Sequence, residues 1–168
     1  TSYFLITSDG MSGSGGGVSY SIIDMNLNNG FGDITSVKNV VLFPNACEKI
    51  TAVLHQNETD FWVVSRLENS NEFHSYLLTD LGINLTPVVS NIGSSYFSSL
   101  GYLKSSHDGA RLAGASVYGG NDGVDLFDFN NSTGLLSNHM HFSNAPTPYG
   151  IEFSLDSDIL YVAQVDNG

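Results

Sequence analysis

Three observations predict an all-β fold and, within that class, a β-propeller. Short apolar runs are separated by Asp/Asn/Gly turns, a unit of four such runs recurs along the chain, and helical periodicity is absent. The hairpin at the heart of the unit appears three times. Ile50–His55, the turn Asn57-Glu58-Thr59-Asp60 and Phe61–Ser65 form the first copy. Leu100–Lys104, His107-Asp108-Gly109 and Leu112–Ser116 form the second, and Tyr149–Phe153, Asp156-Ser157-Asp158 and Leu160–Gln164 the third. An alternating sandwich or a solenoid is the competing architecture, but solenoid rungs are shorter and a sandwich has no reason to repeat every four strands.

A second strand-turn-strand follows each such hairpin. Ser21–Asn26 leads through Asn28-Asn29-Gly30 to Phe31, Ser75–Leu78 through Asp80-Leu81-Gly82 to Ile83, and Leu126–Asn130 through Ser132-Thr133-Gly134 to Leu135. Glycine falls at the same point of each turn, where a positive φ suits a residue without Cβ. Tyr3–Thr7 matches Phe61–Ser65, so the first unit enters at its second strand. With the strands of a unit lettered a to d, the chain reads b-c-d, a-b-c-d twice, then a-b. The second strands begin at Tyr3, Phe61, Leu112 and Leu160, spaced by 58, 51 and 48 residues.

The expected organisation is about three and a quarter four-stranded blades of a larger ring. Blade 1 contributes strands b to d over 1–46, blade 2 covers 47–95, blade 3 covers 96–145, and a fourth blade starts at 146–168. Such an arc leaves apolar faces and strand edges for the remaining blades of the same parent chain to cover. The chain begins at Thr1 and shows no signal-peptide pattern, which marks it as a processed product or an excerpt.

Composition narrows the partners. The 168 residues carry 17 acidic and 5 basic side chains, for a formal charge of −12. Five cations cannot track a phosphate backbone, so no nucleic-acid partner is expected. No run approaches the roughly 18–20 apolar residues of a membrane span, so no direct membrane insertion is expected either. The single cysteine, Cys47, excludes an internal disulfide and is read as a small buried residue. Three Asn-x-Thr triplets, at Asn57, Asn84 and Asn131, are read as turns.

Several phrases resemble known propellers. Tyr149-Gly150-Ile151-Glu152-Phe153-Ser154 with Leu160-Tyr161-Val162 is similar to the repeat phrase of bacterial YVTN-type propellers, and Ser105–Leu112 looks like a second copy. Ser21–Asn28, Glu48–Val53, Phe61–Val64 and Leu126–Asn130 resemble the N-terminal propeller regions of large Bacteroidetes cell-surface proteins. Those proteins are associated with gliding motility and bear the type B sorting domain of the type IX secretion system. The pattern departs from the phrase at Leu155 and Ser157-Asp158, inside a turn. This resemblance implies a secreted, extracellular, cell-surface protein, and the missing start with the fragmentary ring adds a further alternative, a cargo or accessory subunit of the outer-membrane export machinery.

For function, the b–c and d–a loops of a propeller open on one face around the channel, and ligands bind there. His55 at the end of an inner strand, Arg66, Glu68 and Asn71 on one b–c loop, and Tyr118, Asn121 and Asp122 on the next are the candidate ligand-binding residues. They suit a non-enzymatic binding or adhesion module that recognises a protein or glycan. The alternative is a lactonase-like hydrolase, since some YVTN-like relatives are lactonases; it asks for Glu, Arg and His at the channel mouth, where Arg66, Glu68 and His55 are at hand.

The other clusters read as structural. The glycine-rich loop from Ser8 to Gly17 is no phosphate cradle, because no lysine and no helix follow it. Asp122, Asp125 and Asp128 stand three apart on a strand and point to different faces, and Asp156 and Asp158 suit local turn bonding. No catalytic residue, metal ligand set or organic cofactor is expected; a channel calcium stays open. His139 and His141 share a strand face without a third ligand and read as exposed strand histidines. Trp62 reads as core.

Overall fold

The computed structural model describes residues 1–9, 16–94, 100–118, 120–145 and 147–165. The glycine-rich stretch at 10–15 lies outside the described residues. The chain is an arc of four antiparallel sheets, the blades of a partial β-propeller. Blade 1 holds β1 (Ser2–Ser8), β2 (Gly17–Asp24), β3 (Asp33–Ile34) and β4 (Val40–Pro44). Blade 2 holds β5 (Ala46–Leu54), β6 (Phe61–Leu67), β7 (Glu72–Thr79), β8 (Gly82–Ile83) and β9 (Val88–Asn91). Blade 3 is β10 (Leu103–Ser105), β11 (Arg111–Ser116), β12 (Gly123–Asn130) and β13 (Leu135–Phe142), and the fourth sheet is β14 (Pro148–Phe153) with β15 (Leu160–Gln164).

The b-c-d, a-b-c-d, a-b-c-d, a-b order read from the sequence is the observed order of pairing. The outer strand is the irregular one. In blades 1 and 2 it is split in two, β3 and β4 both pairing with β2 and β8 and β9 both with β7. Pairing resumes at Asp33 rather than at the expected Phe31, because Gly32 takes a φ of +83° and carries the chain through a further turn. The glycines expected at positive φ, Gly30, Gly82 and Gly134, lie at +90°, +116° and +76°.

Both faces of an inner strand are buried, which explains the continuous apolar runs. Along β6, Trp62 and Val64 point one way into a cluster with Phe73, Leu112 and Phe127, which fills the seam between blades 2 and 3. Val63 points the other way, against Val18, Phe43 and Tyr76 in the seam with blade 1. In β11, Leu112 faces blade 2 while Ala113 and Ala115 face Ile151 and Phe153 of the fourth sheet. Period-2 alternation thus sorts side chains between two seams instead of between core and water. Trp62 is core as expected, its indole N–H donating to the Asn131 carbonyl at 2.8 Å across the seam. Cys47 is buried too.

The strand ends define two ends of the arc. The lower end carries the a–b and c–d turns, and the upper end the b–c and d–a connections. At the lower end one turn recurs. The Ser106 hydroxyl donates to Asp108 Oδ1 at 2.5 Å and accepts the Arg111 N–H at 2.9 Å. Ser154 does the same with Asp156 and the Ile159 N–H, at 2.5 and 2.9 Å. In blade 2, Asn57 Oδ1 accepts the N–H groups of Thr59 and Asp60. Among the described residues no helix is long and apolar enough to cross a membrane.

Candidate functional site

The upper end departs from the repeat at the start of β5. Ala46 pairs with Leu67 and Ile50 with Ser65, so the three residues Cys47, Glu48 and Lys49 on one strand oppose Arg66 alone on its partner. This bulge breaks the alternation that would send Glu48 and Lys49 to opposite faces. Its shape is fixed by side chains, with Ser65 donating its hydroxyl to the Lys49 carbonyl at 2.8 Å and Ser8 donating to the Glu48 carbonyl at 3.2 Å. Both residues now line one cavity of about 340 Å³, together with Gly101, Tyr102 and Lys104 of blade 3 and Tyr149 of the fourth sheet. The cavity therefore lies where three successive innermost strands begin.

Within it, Glu48 Oε1 accepts the Gly101 N–H at 3.1 Å and stands 3.5 Å from the Tyr149 hydroxyl. The carboxylate beside that hydroxyl holds the Tyr149 phenol above its ordinary range. Tyr149 and Tyr102 pack their rings 5.6 Å apart, and the Lys104 ammonium lies over Tyr102 while bonding Glu152 at 2.8 Å. Lys49 is buried behind the cavity wall and donates to the Leu100 carbonyl at 2.5 Å. Burial brings its ammonium down to about 8.

Behind Lys49 lies a polar seam between blades 2 and 3. Arg66, also buried, donates to the Ser70 and Ser94 carbonyls and covers the Phe73 ring at 5.1 Å. Burial pulls its guanidinium down to about 10, still charged at neutral pH. Both cations feel Asp125, which is 1% exposed. Asp125 Oδ1 is bonded by His139 Nε2 at 2.6 Å and His141 Nδ1 at 3.0 Å. The two histidines are therefore not exposed strand residues; Asp125 lies beside them on the paired strand and holds both rings against the seam. Among the described residues no group of three or more His, Cys, Asp and Glu is arranged to hold a metal ion.

The seven candidate residues from the sequence are divided between the two ends of the arc. His55 lies at the lower end, where its Nδ1 accepts the Asn57 N–H at 3.0 Å and its ring rests 5.8 Å from that of Trp62. Arg66 is at the upper end but buried in the seam. Glu68 and Asn71 are on the b–c loop, where their backbones tie it to Asn45 and Ile92. Tyr118, at φ +62° and 59% exposed, Asn121 and Asp122 occupy the next b–c loop. The cavity is instead built by Glu48, Lys49, Tyr102 and Tyr149, which open the a strands. Their signal was a pair of charges, Glu48-Lys49, opening an otherwise apolar inner strand.

No protein-family model matches this chain, and no curated protein matches it. Among solved structures it is similar to a Bacteroides fragilis NCTC 9343 protein provisionally assigned as a 6-phosphogluconolactonase. The TM-score is 0.65 at 14% identity, over 88% of this chain and 41% of that one. It also matches a luciferin-regenerating enzyme, with TM-score 0.44 and 16% identity over 95% of this chain and 55% of that one. A Desulfotomaculum acetoxidans DSM 771 protein of unknown function gives 0.43 and 12%, over 95% and 62%. The chain thus spans less than two thirds of each. The likeness to the first of these shows the propeller fold.

It also corrects the family expectation. The solved structure matched at a TM-score of 0.65 carries a provisional assignment as a 6-phosphogluconolactonase. The resemblance to gliding-motility, type IX-exported surface proteins of Bacteroidetes finds no match, and the reading as a non-enzymatic adhesion module goes with it. That resemblance rested on short strand and turn phrases that any blade of this geometry favours.

Proposed function

We propose that the cavity at the upper end is a hydrolytic centre for lactones, in a propeller of the lactonase type. The observation that carries this reading is the bulge that places Glu48 in the cavity beside Tyr149, with Lys49 in its wall. The fold likeness to the propeller assigned as a 6-phosphogluconolactonase supports it. Glu48 takes a proton from a water molecule as its oxygen bonds to the lactone carbonyl carbon. The Tyr149 hydroxyl and the positive charge of Lys49 stabilise the oxyanion that develops. The endocyclic C–O bond then breaks, and the ring oxygen leaves with the proton held by Glu48.

The test is pH-stat titration of δ-lactone hydrolysis by the purified protein. Glu48→Gln should lower kcat/KM by about 100-fold, the lower end of what a general base supplies. Failure to exceed the uncatalysed rate, or a Glu48→Gln variant as fast as the parent, overturns the proposal.

A further inference from the structure

The opposite end of the arc carries a second recess that the hydrolytic reading does not use. Between blades 1 and 2, Phe4, Phe61 and Leu78 form the floor of a lower-end groove of about 670 Å³, with Thr59, Asp60, Thr79 and Asp80 around it. Phe61 is 42% exposed, and Leu81, next to Asp80 on the rim, is 94% exposed. A recess floored by three large apolar side chains and open to water is the kind of contiguous patch that an interaction partner covers.

The charges around the groove say what kind of partner that is. Asp60 and Asp80, from two neighbouring turns of blade 2, both line it, Asp60 also accepting from Asn57 Nδ2 at 2.8 Å. The neighbouring lower turns repeat the sign, with Asp24 and Asp33 in blade 1, Asp108 in blade 3 and Asp156 and Asp158 in the fourth sheet. Against them the lower end offers Arg111, which faces Asp128 at 3.8 Å. An anionic or purely apolar segment is disfavoured by this field, whereas a cationic one is attracted and oriented by it.

We propose that this groove docks a cationic amphipathic peptide segment, an apolar side chain seated on Phe4, Phe61 and Leu78 with flanking Lys or Arg residues on Asp60 and Asp80. Floor and rim have separate tasks: the floor supplies apolar burial, and the rim fixes register and rejects acidic sequences.

The experiment is fluorescence anisotropy at physiological salt with a labelled peptide of four Lys-Leu repeats, compared with octalysine. The Lys-Leu peptide should bind at least about ten-fold more tightly than octalysine, because apolar burial adds to charge. Combined Asp60→Asn and Asp80→Asn should weaken binding about five-fold, the worth of two exposed ion pairs. Leu81→Ser, at a position with almost no packing to lose, should weaken it about three-fold. Asp158→Asn, on the same end but in another blade, should leave it unchanged. Equal binding of octalysine, an equal loss in Asp158→Asn, or no binding of the Lys-Leu peptide overturns the proposal.

Discussion

The two ends of the seam between blades 2 and 3 are built on opposite rules. At the lower end the chain obeys its repeat: a Ser-x-Asp or Asn turn closes each hairpin with local bonds, and the indole of Trp62 reaches across to the Asn131 carbonyl. At the upper end two of the five cations of the chain, Lys49 and Arg66, are buried beside one buried carboxylate, Asp125. Burying an ion costs several kcal/mol, and partners offset that cost only when they stay in place. The lower end is therefore made of interchangeable local parts and the upper end of mutually dependent ones. A propeller needs only the first kind to fold, and the second lies beside the cavity proposed above as the hydrolytic centre.

The largest expected difference comes from removing one carboxylate at each end. Asp125→Ala strips the buried cations of their counter-charge and frees two histidine rings, and should cost about 3–5 kcal/mol. Asp108→Ala loses bonds from the Ser106 hydroxyl and the Ala110 N–H in an exposed turn, and should cost about 1 kcal/mol. Urea unfolding of the two variants beside the parent at neutral pH measures both. Equal losses would mean that the two ends follow one rule after all.

Next comes the pH dependence of the upper end. In the unfolded chain Lys49 keeps its proton to an ordinary 10.5, while in the folded chain it releases it at about 8. Between these values the unfolded state binds more protons, so stability rises with pH, by up to about 1.4 kcal/mol per unit. Below about 8 the burial penalty is present in full. Cys47 acts in the opposite sense, because burial raises its thiol and the folded state holds that proton longer. Comparing the parent with Lys49→Met at each pH separates the two. The variant should be more stable near pH 7, and the parent should close the gap by about 3 kcal/mol at most between pH 8 and 10.5. A gap that stays constant over that window would show that Lys49 does not titrate there.

The same contrast explains what could be read in advance. The lower end was legible because its information is local: Asp, Asn and Gly at fixed offsets fix a turn, and the apolar run Trp62–Val64 fixes a doubly buried strand. The upper end was not. Arg66 reads as the start of a b–c loop, yet β6 runs on through it and the backbone carbonyls of Ser70 and Ser94 hold its guanidinium in the seam. His139 and His141 looked alone because Asp125 reaches them only through the β12–β13 register. Glu48 became legible only with the bulge, which no periodicity announces.

The smallest prediction tests how closely the lower turns are copies of one another. Glu58, Gly109 and Ser157 occupy the same position in three successive a–b turns, with φ of +61°, +68° and +65°. Only the middle one is glycine, and a residue with a Cβ held in the left-handed region is strained by about 1–2 kcal/mol. Replacing it with glycine relieves that strain but loosens the unfolded chain, so the net gain is smaller. Ser157 also accepts the Asp108 N–H at 3.1 Å through its hydroxyl, a bond between neighbouring turns that the change removes. Among the described residues Glu58 has no such tie to another blade, so Glu58→Gly should stabilise by about 0.5–1 kcal/mol and Ser157→Gly by less. Thermal unfolding of the two variants decides it: the larger shift should belong to Glu58→Gly. The reverse order would mean that the Ser157 hydroxyl contributes nothing and that the turns differ in strain alone.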